Sequence, residues 1–451
     1  MIKKILIANR GEIAARVIRT CKKLNIRTVA VFSEADQKAP FVALADESYL
    51  LGPPRVNESY LKADKIIQIA KEANADAIHP GYGFLSENAV FAEKCQEAGL
   101  TFIGPRGAIM KKMGSKIEAR KTMQAAGVPV VPGTDGAVES ADEALAIAKE
   151  IGYPIMLKAS AGGGGIGMQV VESDAELTKA FASNSKRAET FFGDGAMFME
   201  KKLENARHIE VQLLADEYGN AVHLFERECS IQRRNQKVVE EAPSPFISEM
   251  TRMKMGETAV TAAKAIGYTN AGTIEFLVDE EENFYFLEMN TRIQVEHAIT
   301  EEITGLDIVE EQINIANGEA LTIDQASLNI NGHAIEVRIY AEDPVSFFPS
   351  PGHITTMEAP AGENVRNELA VTANYDVTPY YDPMIGKLIV TGATRAEAIE
   401  VLKSALGNYK IDGIKTNIPM LETVIDHEAF KAGNTTTAFV QKHYLPMVKT
   451  N

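Results

Sequence analysis

The chain has 451 residues, and 62 acidic against 46 basic side chains leave it at a net charge of −16, which excludes a basic nucleic-acid groove or an anionic membrane surface as a partner. With 45% hydrophobic and 24% charged residues it has a globular balance, enough chain for roughly two to four domains. Three scattered cysteines (Cys21, Cys95 and Cys229) exclude a disulfide scaffold and a zinc knuckle and favour a reducing cytoplasm, and no apolar run is long enough for a signal segment or a membrane span.

Short apolar runs at 4–8, 28–32 and 77–79 alternate with amphipathic stretches at 11–23 and 60–72, which predicts parallel βαβ units. Residues 9–12, Asn-Arg-Gly-Glu, fall where a strand gives way to a helix, a place where ligands bind in open α/β sheets, and no GxGxxG marks a dinucleotide turn. Gly-Val-Pro-Val-Val-Pro at 127–132 reads as an extended linker near a domain boundary. A helix is predicted over 140–151 and a strand over 154–158, followed by glycines at 162–165 and 167. Strand patterns dominate after Glu200, with helices over 253–266 and 395–406 and strands over 334–342 and 385–391.

A glycine run lets backbone N–H groups approach phosphate oxygens without interference from Cβ, and Lys158 just before it adds a point charge. It is no Walker loop, because no Gly-Lys-Ser/Thr ends it, and glycines alone also suit a flexible turn. The sharper signal is the hairpin at 272–290. If its loop holds an even number of residues, centred between Glu281 and Glu282, Glu275 lies opposite Glu288. Facing carboxylates repel unless a cation sits between them. Asn290 shares the face of Glu288, and the three make an oxygen-rich site suited to magnesium held against nucleotide phosphates. An odd loop would put the glutamates on opposite faces.

The alternation runs on through Arg292, Gln294 and Glu296, between the apolar Ile293 and Val295. Such a set is costly to bury unless it serves a site, although a solvated sheet face also alternates. Arg292 suits a planar oxyanion and Glu296 a base toward a bound acid. Lys237, in the polar run 232–241, is a candidate contact for phosphate or bicarbonate, or part of a solvated charge run. Arg338 and Glu336 alternate with apolar neighbours and either point into the same cleft or form a surface ion pair. His79 reads as a satisfied loop histidine and Cys229 as buried packing.

Together, Ile7-Ala-Asn-Arg-Gly-Glu-Ile-Ala14, His79-Pro-Gly-Tyr-Gly-Phe-Leu-Ser-Glu-Asn88, Lys158 with its glycines, Arg207-His-Ile-Glu210, the run 232–243, Glu288-Met-Asn-Thr-Arg-Ile-Gln-Val-Glu-His297 and Tyr381-Asp-Pro-Met-Ile-Gly-Lys387 resemble biotin carboxylase over essentially the whole chain. The resemblance implies an ATP-grasp α/β fold: an N-terminal parallel-sheet α/β domain at 1–114, a linker and small glycine-loop lid at 115–203, and a C-terminal α+β domain at 204–451. It implies that Lys116, Lys158, Gly163, Gly164, Gly165, Gly167, Met168, Glu200, Lys201, Leu203, His208, Gln232, Asn235 and Leu277 surround ATP. Glu275, Glu288 and Asn290 would hold magnesium or manganese. Lys237, Arg292, Gln294, Val295 and Glu296 would form the bicarbonate pocket, with Tyr82 and Arg338 toward biotin and Lys237, Arg292, Glu296 and Arg338 as the catalytic set.

The implied reaction is ATP-dependent carboxylation of biotin through carboxyphosphate, the first half-reaction of acetyl-CoA carboxylase in fatty acid synthesis. No Ala-Met-Lys-Met carrier motif occurs, so biotin is expected on a separate carrier protein, with carboxyltransferase subunits as further partners and a homodimer as the assembly. The chain departs from the family pattern at Ile166 and Gln169, where basic residues are common, at Asn235, where histidine is usual, and at Ala298, where proline is common. Other ATP-grasp ligases, such as half of a carbamoyl-phosphate synthetase, share the lid and hairpin, but Arg292 to Glu296 together with Arg338 favour bicarbonate and biotin. A catalytically silent nucleotide-binding module would bind ATP without bicarbonate-dependent hydrolysis.

Overall fold

Ile13, Ala14, Val17, Ile18 and Cys21 recur at helical spacing, and in the computed structural model, which describes residues 1–160 and 168–449, they form the buried stripe of the helix Gly11–Lys23. Glu12 in its first turn and Lys22 and Lys23 in its last match the helix dipole. The stripe covers a five-stranded parallel sheet ordered Glu47–Gly52, Arg27–Ser33, Lys4–Ile7, Ala77–His79, Thr101–Phe102. Successive strands leave Lys4–Ile7 first to one side and then to the other, so the loops after Lys4–Ile7 and Ala77–His79 face each other at the switch point. Ligands bind at that place in open α/β sheets. Asn9 closes it, its Nδ2 donating to the carbonyls of Pro80 and Tyr82 at 2.7 Å each. Gly81 turns there at a φ of 62°, where an added Cβ would stand 2.9 Å from Asn9 Nδ2, so both backbone angle and space require glycine.

A small antiparallel sheet of Met168–Val171, Ile155–Ala159 and Met197–Lys201 carries the helices Ala141–Ile151 and Asp174–Phe192. Ser140 and Ser173 cap those helices by accepting the N–H of Glu143 and Glu176. The third body is an eight-stranded antiparallel sheet ordered Phe284–Asn290, Asn270–Val278, Arg207–Ala215, Ala221–Arg233, Gln236–Ala242, His333–Tyr340, Met384–Gly392, Val365–Leu369. Its one surface carries both the acidic hairpin and Arg338. Arg16, buried on the first helix, ties the parallel sheet to this body through Glu301 at 2.6 Å and Asp307 at 2.8 Å.

The helix expected over 253–266 starts a turn earlier, at Glu249, because Ser248 accepts the N–H of Thr251 and sets its origin. The hairpin turn also differs from expectation. Residues 279–283 make an odd, five-residue loop, and Phe284 pairs with Val278, Tyr285 with Leu277 and Phe286 with Phe276. The register shifts by one beside Leu287, and beyond it Glu288 pairs with Glu275 and Asn290 with Thr273. One inserted residue therefore restores the facing glutamates that an odd loop would have separated.

Candidate active site

The three bodies enclose a cleft of 820 Å³, the size of a nucleotide-scale pocket. All the described residues expected around ATP, magnesium, bicarbonate and biotin line it. Gly163, Gly164, Gly165 and Gly167, and the departure Ile166, lie outside the described residues.

One row of side chains organises its floor. Glu288, Glu275, Glu210 and Arg227 face one another in register across four neighbouring strands. Three carboxylates in a line demand positive charge, and Lys237 supplies it: its Nζ donates to Glu210 at 2.6 Å, Glu275 at 2.7 Å and Glu296 at 2.8 Å. These bonds use all three of its N–H groups. Arg227, fully buried, donates its Nε to the other oxygen of Glu210 at 2.6 Å. Burial raises the Glu275 pKa, but Lys237 and His208 outweigh it and hold the group well below the usual carboxylate range. His208, whose Nδ1 accepts from Gln232, brings Nε2 to 2.8 Å from Glu275.

Glu288 opens into the cleft, and among the described residues it has no ion pair. Crowding by protein and then the negative Glu275 beside it push its pKa up, the mark of a position short of a cation. Glu275, Glu288 and the amide oxygen of Asn290 are hard oxygen donors and fit magnesium or manganese held with phosphates. Two other groupings could ligate by proximity, His208 with Glu210 and Glu275, and Glu210 with Cys229 and Glu296. The Lys237 ammonium, bonded to Glu210, Glu275 and Glu296, already supplies a cation there.

Glu296 accepts from Lys237 and, at 2.9 Å, from Arg338 Nη2, while Arg338 Nε donates to Glu240 at 2.6 Å. Burial opposes ionisation of Glu296, yet Lys237 and Arg338 keep its pKa well below the ordinary range. Arg292 is equally tied: Nε to Glu87 at 2.9 Å, Nη1 to the Ile293 carbonyl and Gln294, Nη2 to Asn290 at 2.8 Å. The strand ends at Asn290, and Arg292, Gln294 and Glu296 reach the cleft from a loop before the helix His297–Thr304 rather than from a continued strand. The alternation survives because the loop bonds back onto the strand through Arg292 and through Gln294 Nε2, which donates to Glu275 at 2.9 Å.

Toward the small sheet, Lys158 pairs with Glu200, which also accepts from Arg120 at 3.1 Å. Lys116 stands unpaired among the described residues, its pKa lowered by burial and by Lys158. Met168, Leu203 and Leu277 add apolar walls. Lys201 lines the cleft, but its ammonium donates to the carbonyls of Gly152 and Tyr153 at 3.0 and 2.8 Å.

Other expectations resolve individually. Glu336 is fully buried, outside the cleft lining and, among the described residues, without a hydrogen bond to either oxygen, so it neither accompanies Arg338 into the cleft nor forms a surface pair. His79 is satisfied in its loop: Nδ1 accepts from the Gly81 N–H and Nε2 faces Gln312 at 3.0 Å, with burial depressing its pKa to about 4. Cys229 is buried and its thiol is pushed far up by burial. Arg234 and Asn235 form a two-residue turn with φ of 50° and 63°, a geometry that asparagine tolerates better than most residues. Gln169 accepts from Asn184 at 2.9 Å, and Ala298 is buried in a helix rather than placed in a turn.

Sequence reasoning assigned no role to Glu87, Arg120, Glu210, Arg227 or Glu240. A usable signal existed for Glu210: His208, Glu210 and Gln212 alternate with Ile209, Val211 and Leu213 on one strand, the same pattern that flags Glu275. None existed for Glu87, whose tie to Arg292 spans two domains of the chain.

Three family models match the chain: Biotin carboxylase, N-terminal domain, over residues 1–110; Carbamoyl-phosphate synthase L chain, ATP binding domain, over 115–324; and Biotin carboxylase C-terminal domain, over 336–442. The biotin carboxylase of Halalkalibacterium halodurans is 63% identical over 98% of both chains. A pyruvate carboxylase subunit of Methanothermobacter thermautotrophicus is 54% identical over 98% of this chain and 90% of its own. The crystal structure of the biotin carboxylase domain dimer of Hydrogenobacter thermophilus 2-oxoglutarate carboxylase, in complex with magnesium ADP, ADP and bicarbonate, is 50% identical over 98% of each chain with a TM-score of 0.95.

Proposed function

The chain belongs to the biotin carboxylase family, and on that premise we propose that it uses ATP and bicarbonate to carboxylate biotin presented by a separate carrier protein. The observation that carries this reading is the position of Glu296, which joins the acid row through Lys237 and the biotin side through Arg338. Lys116 and Lys158 charge the phosphate end, while His208, Gln232, Asn235, Glu200, Lys201 and the apolar walls enclose the nucleotide. Glu275, Glu288 and Asn290 would hold magnesium, which when bound would supply charge neutralisation at the phosphates.

Arg292, Gln294, Lys237 and the Val295 backbone receive bicarbonate. Glu296 is a weak base while Lys237 and Arg338 hold its charge; sharing those cations with a second anion raises its proton affinity, so the base forms when the substrate arrives. The deprotonated oxygen attacks the γ-phosphorus, ADP leaves, and carboxyphosphate breaks to CO2 and phosphate. Phosphate takes the ureido proton, and Arg338 stabilises the enolate oxygen as the nitrogen attacks CO2, with Tyr82 flanking the ring.

We further propose the three-part division at 1–114, 115–203 and 204–451, a homodimer, a cytoplasmic setting and service to an acetyl-CoA carboxylase with its carboxyltransferase. The free, buried cysteines fit a reducing compartment. The 54% identity to a pyruvate carboxylase subunit supports pyruvate as the alternative acceptor. The test is ADP release from magnesium-ATP with and without bicarbonate and free biotin: release that needs bicarbonate and rises with biotin is expected. Release indifferent to biotin would make the protein another carboxyphosphate enzyme, and no release would make it a binding module.

A further inference from the structure

Lys387 has no solvent exposure. A buried ammonium is costly unless anions surround it, and here they do so sparsely. Glu12 Oε2 lies 3.5 Å away and Glu336 Oε2 4.0 Å away, both beyond hydrogen-bond reach. Among the described residues its one hydrogen-bond partner is neutral, the backbone carbonyl of Val295 at 2.5 Å. Val295 sits in the loop that carries Arg292, Gln294 and Glu296 into the cleft, and the next peptide bond leads to Glu296 itself. On the other side, Glu12 accepts from the hydroxyl of Tyr82, its second oxygen buried without a hydrogen bond among the described residues. Lys387 also pairs in register with Arg338 on the neighbouring strand, so two cations stand side by side, one held to Glu296 and the other to the residue before it.

We propose that Lys387 and Glu12 are positioning residues: the ammonium fixes the Val295–Glu296 peptide on the bicarbonate side, and through Glu12 the same charge orients the Tyr82 hydroxyl on the biotin side. The inference rests on the reading of the cleft given above. Methionine at 387 fills the space of lysine and leaves the Val295 carbonyl without its donor. Glutamine at 12 can still accept from Tyr82 but loses its charge toward Lys387.

Two measurements on the full chain separate positioning from general support. In hydrogen exchange, Lys387→Met should accelerate the amides of 292–297 about tenfold or more while those of the Met197–Lys201 strand keep wild-type rates. In ADP-release kinetics, Lys387→Met should raise KM for bicarbonate about tenfold or more with KM for ATP unchanged, and Glu12→Gln should lose biotin stimulation while keeping the bicarbonate KM. Wild-type protection of 292–297 in Lys387→Met, or a uniform fall in kcat with every KM unchanged, overturns the proposal. Should Lys387→Met fail to fold, Glu12→Gln decides: wild-type biotin stimulation overturns it. If wild-type protein shows no bicarbonate-dependent release, the functional reading falls, and the exchange rates still decide whether Lys387 anchors the loop.

Discussion

Glu275 faces Glu288 across a hairpin whose five-residue turn, taken alone, would have put them on opposite sides of the sheet; the shift beside Leu287 brings them back into register. Glu275 is satisfied by Lys237, Asn290 and Gln294 at 2.7 to 2.9 Å, whereas Glu288 opens into the cleft with its pKa raised by crowding and by Glu275. Glu288→Lys puts an ammonium where the divalent cation is proposed. Magnesium-ATP affinity, measured by calorimetric titration, should fall about tenfold or more, while affinity for metal-free ATP should hold or rise. Unchanged magnesium-ATP affinity would remove Glu288 from the metal site.

Glu296 shares Lys237 with Glu210 and Glu275 and shares Arg338 with Glu240. Glu296→Gln removes the proposed base but keeps an oxygen that can accept from either cation. ATP binding should stay within about twofold of wild type while bicarbonate-dependent turnover falls by about a thousandfold, within the range for a lost general base. A variant that keeps most of its rate would move the base role elsewhere.

The parts of this site that lie close together in the chain were legible from it, because alternation along one strand and its hairpin partner places Glu275, Glu288 and Asn290 on one face. The neighbours that complete the charge balance were not. Glu210 and Arg227 meet Glu275 only through strand order in the eight-stranded sheet, and Lys237 joins them from a fifth strand. The shift at Leu287 was equally invisible: a bulge moves the phase of the alternation by one, but Phe284, Tyr285, Phe286 and Leu287 are apolar on both faces, so no phase can be read there. Local periodicity located the helices and strands it named within a few residues, but it passed over others such as Ala89–Glu97, Asp174–Phe192 and Ile308–Ala316; the switch point beside Asn9 followed from the βαβ reading. Buried ion pairs such as Arg16 with Glu301 depend on contacts hundreds of residues apart, so their residues read as surface charges.

Glu87 accepts from the N–H and hydroxyl of Thr291 with one oxygen and from Arg292 Nε at 2.9 Å with the other. It comes from the loop after Ala77–His79 and sets the plane of a guanidinium carried by the acidic-hairpin loop. Because it lies away from the nucleotide end, Glu87→Gln should raise KM for bicarbonate about tenfold without moving KM for ATP. Equal changes in both constants would mark a general loosening of the contact between the parallel sheet and the eight-stranded one.

Glu228 is buried behind the cleft wall, where it accepts from Ser230 and from Ser244 at 2.8 Å, with Arg207 and Glu241 as the nearby charges. Burial outweighs these hydrogen bonds and pushes its pKa up to about 7. The folded state therefore holds its proton more tightly than the unfolded chain does. That contribution to stability is complete below about pH 4.5 and is lost as pH rises toward and through 7, a difference of up to about 3 kcal/mol. Glu228→Gln is uncharged at every pH and lacks this loss. Between pH 5 and 8 the melting temperature of the wild type should fall relative to that of Glu228→Gln, most steeply between about pH 5 and 6.5, midway between the two pKa values, and level off above pH 7. Parallel melting curves for the two proteins across that interval would show that Glu228 ionises in the fold as readily as in water.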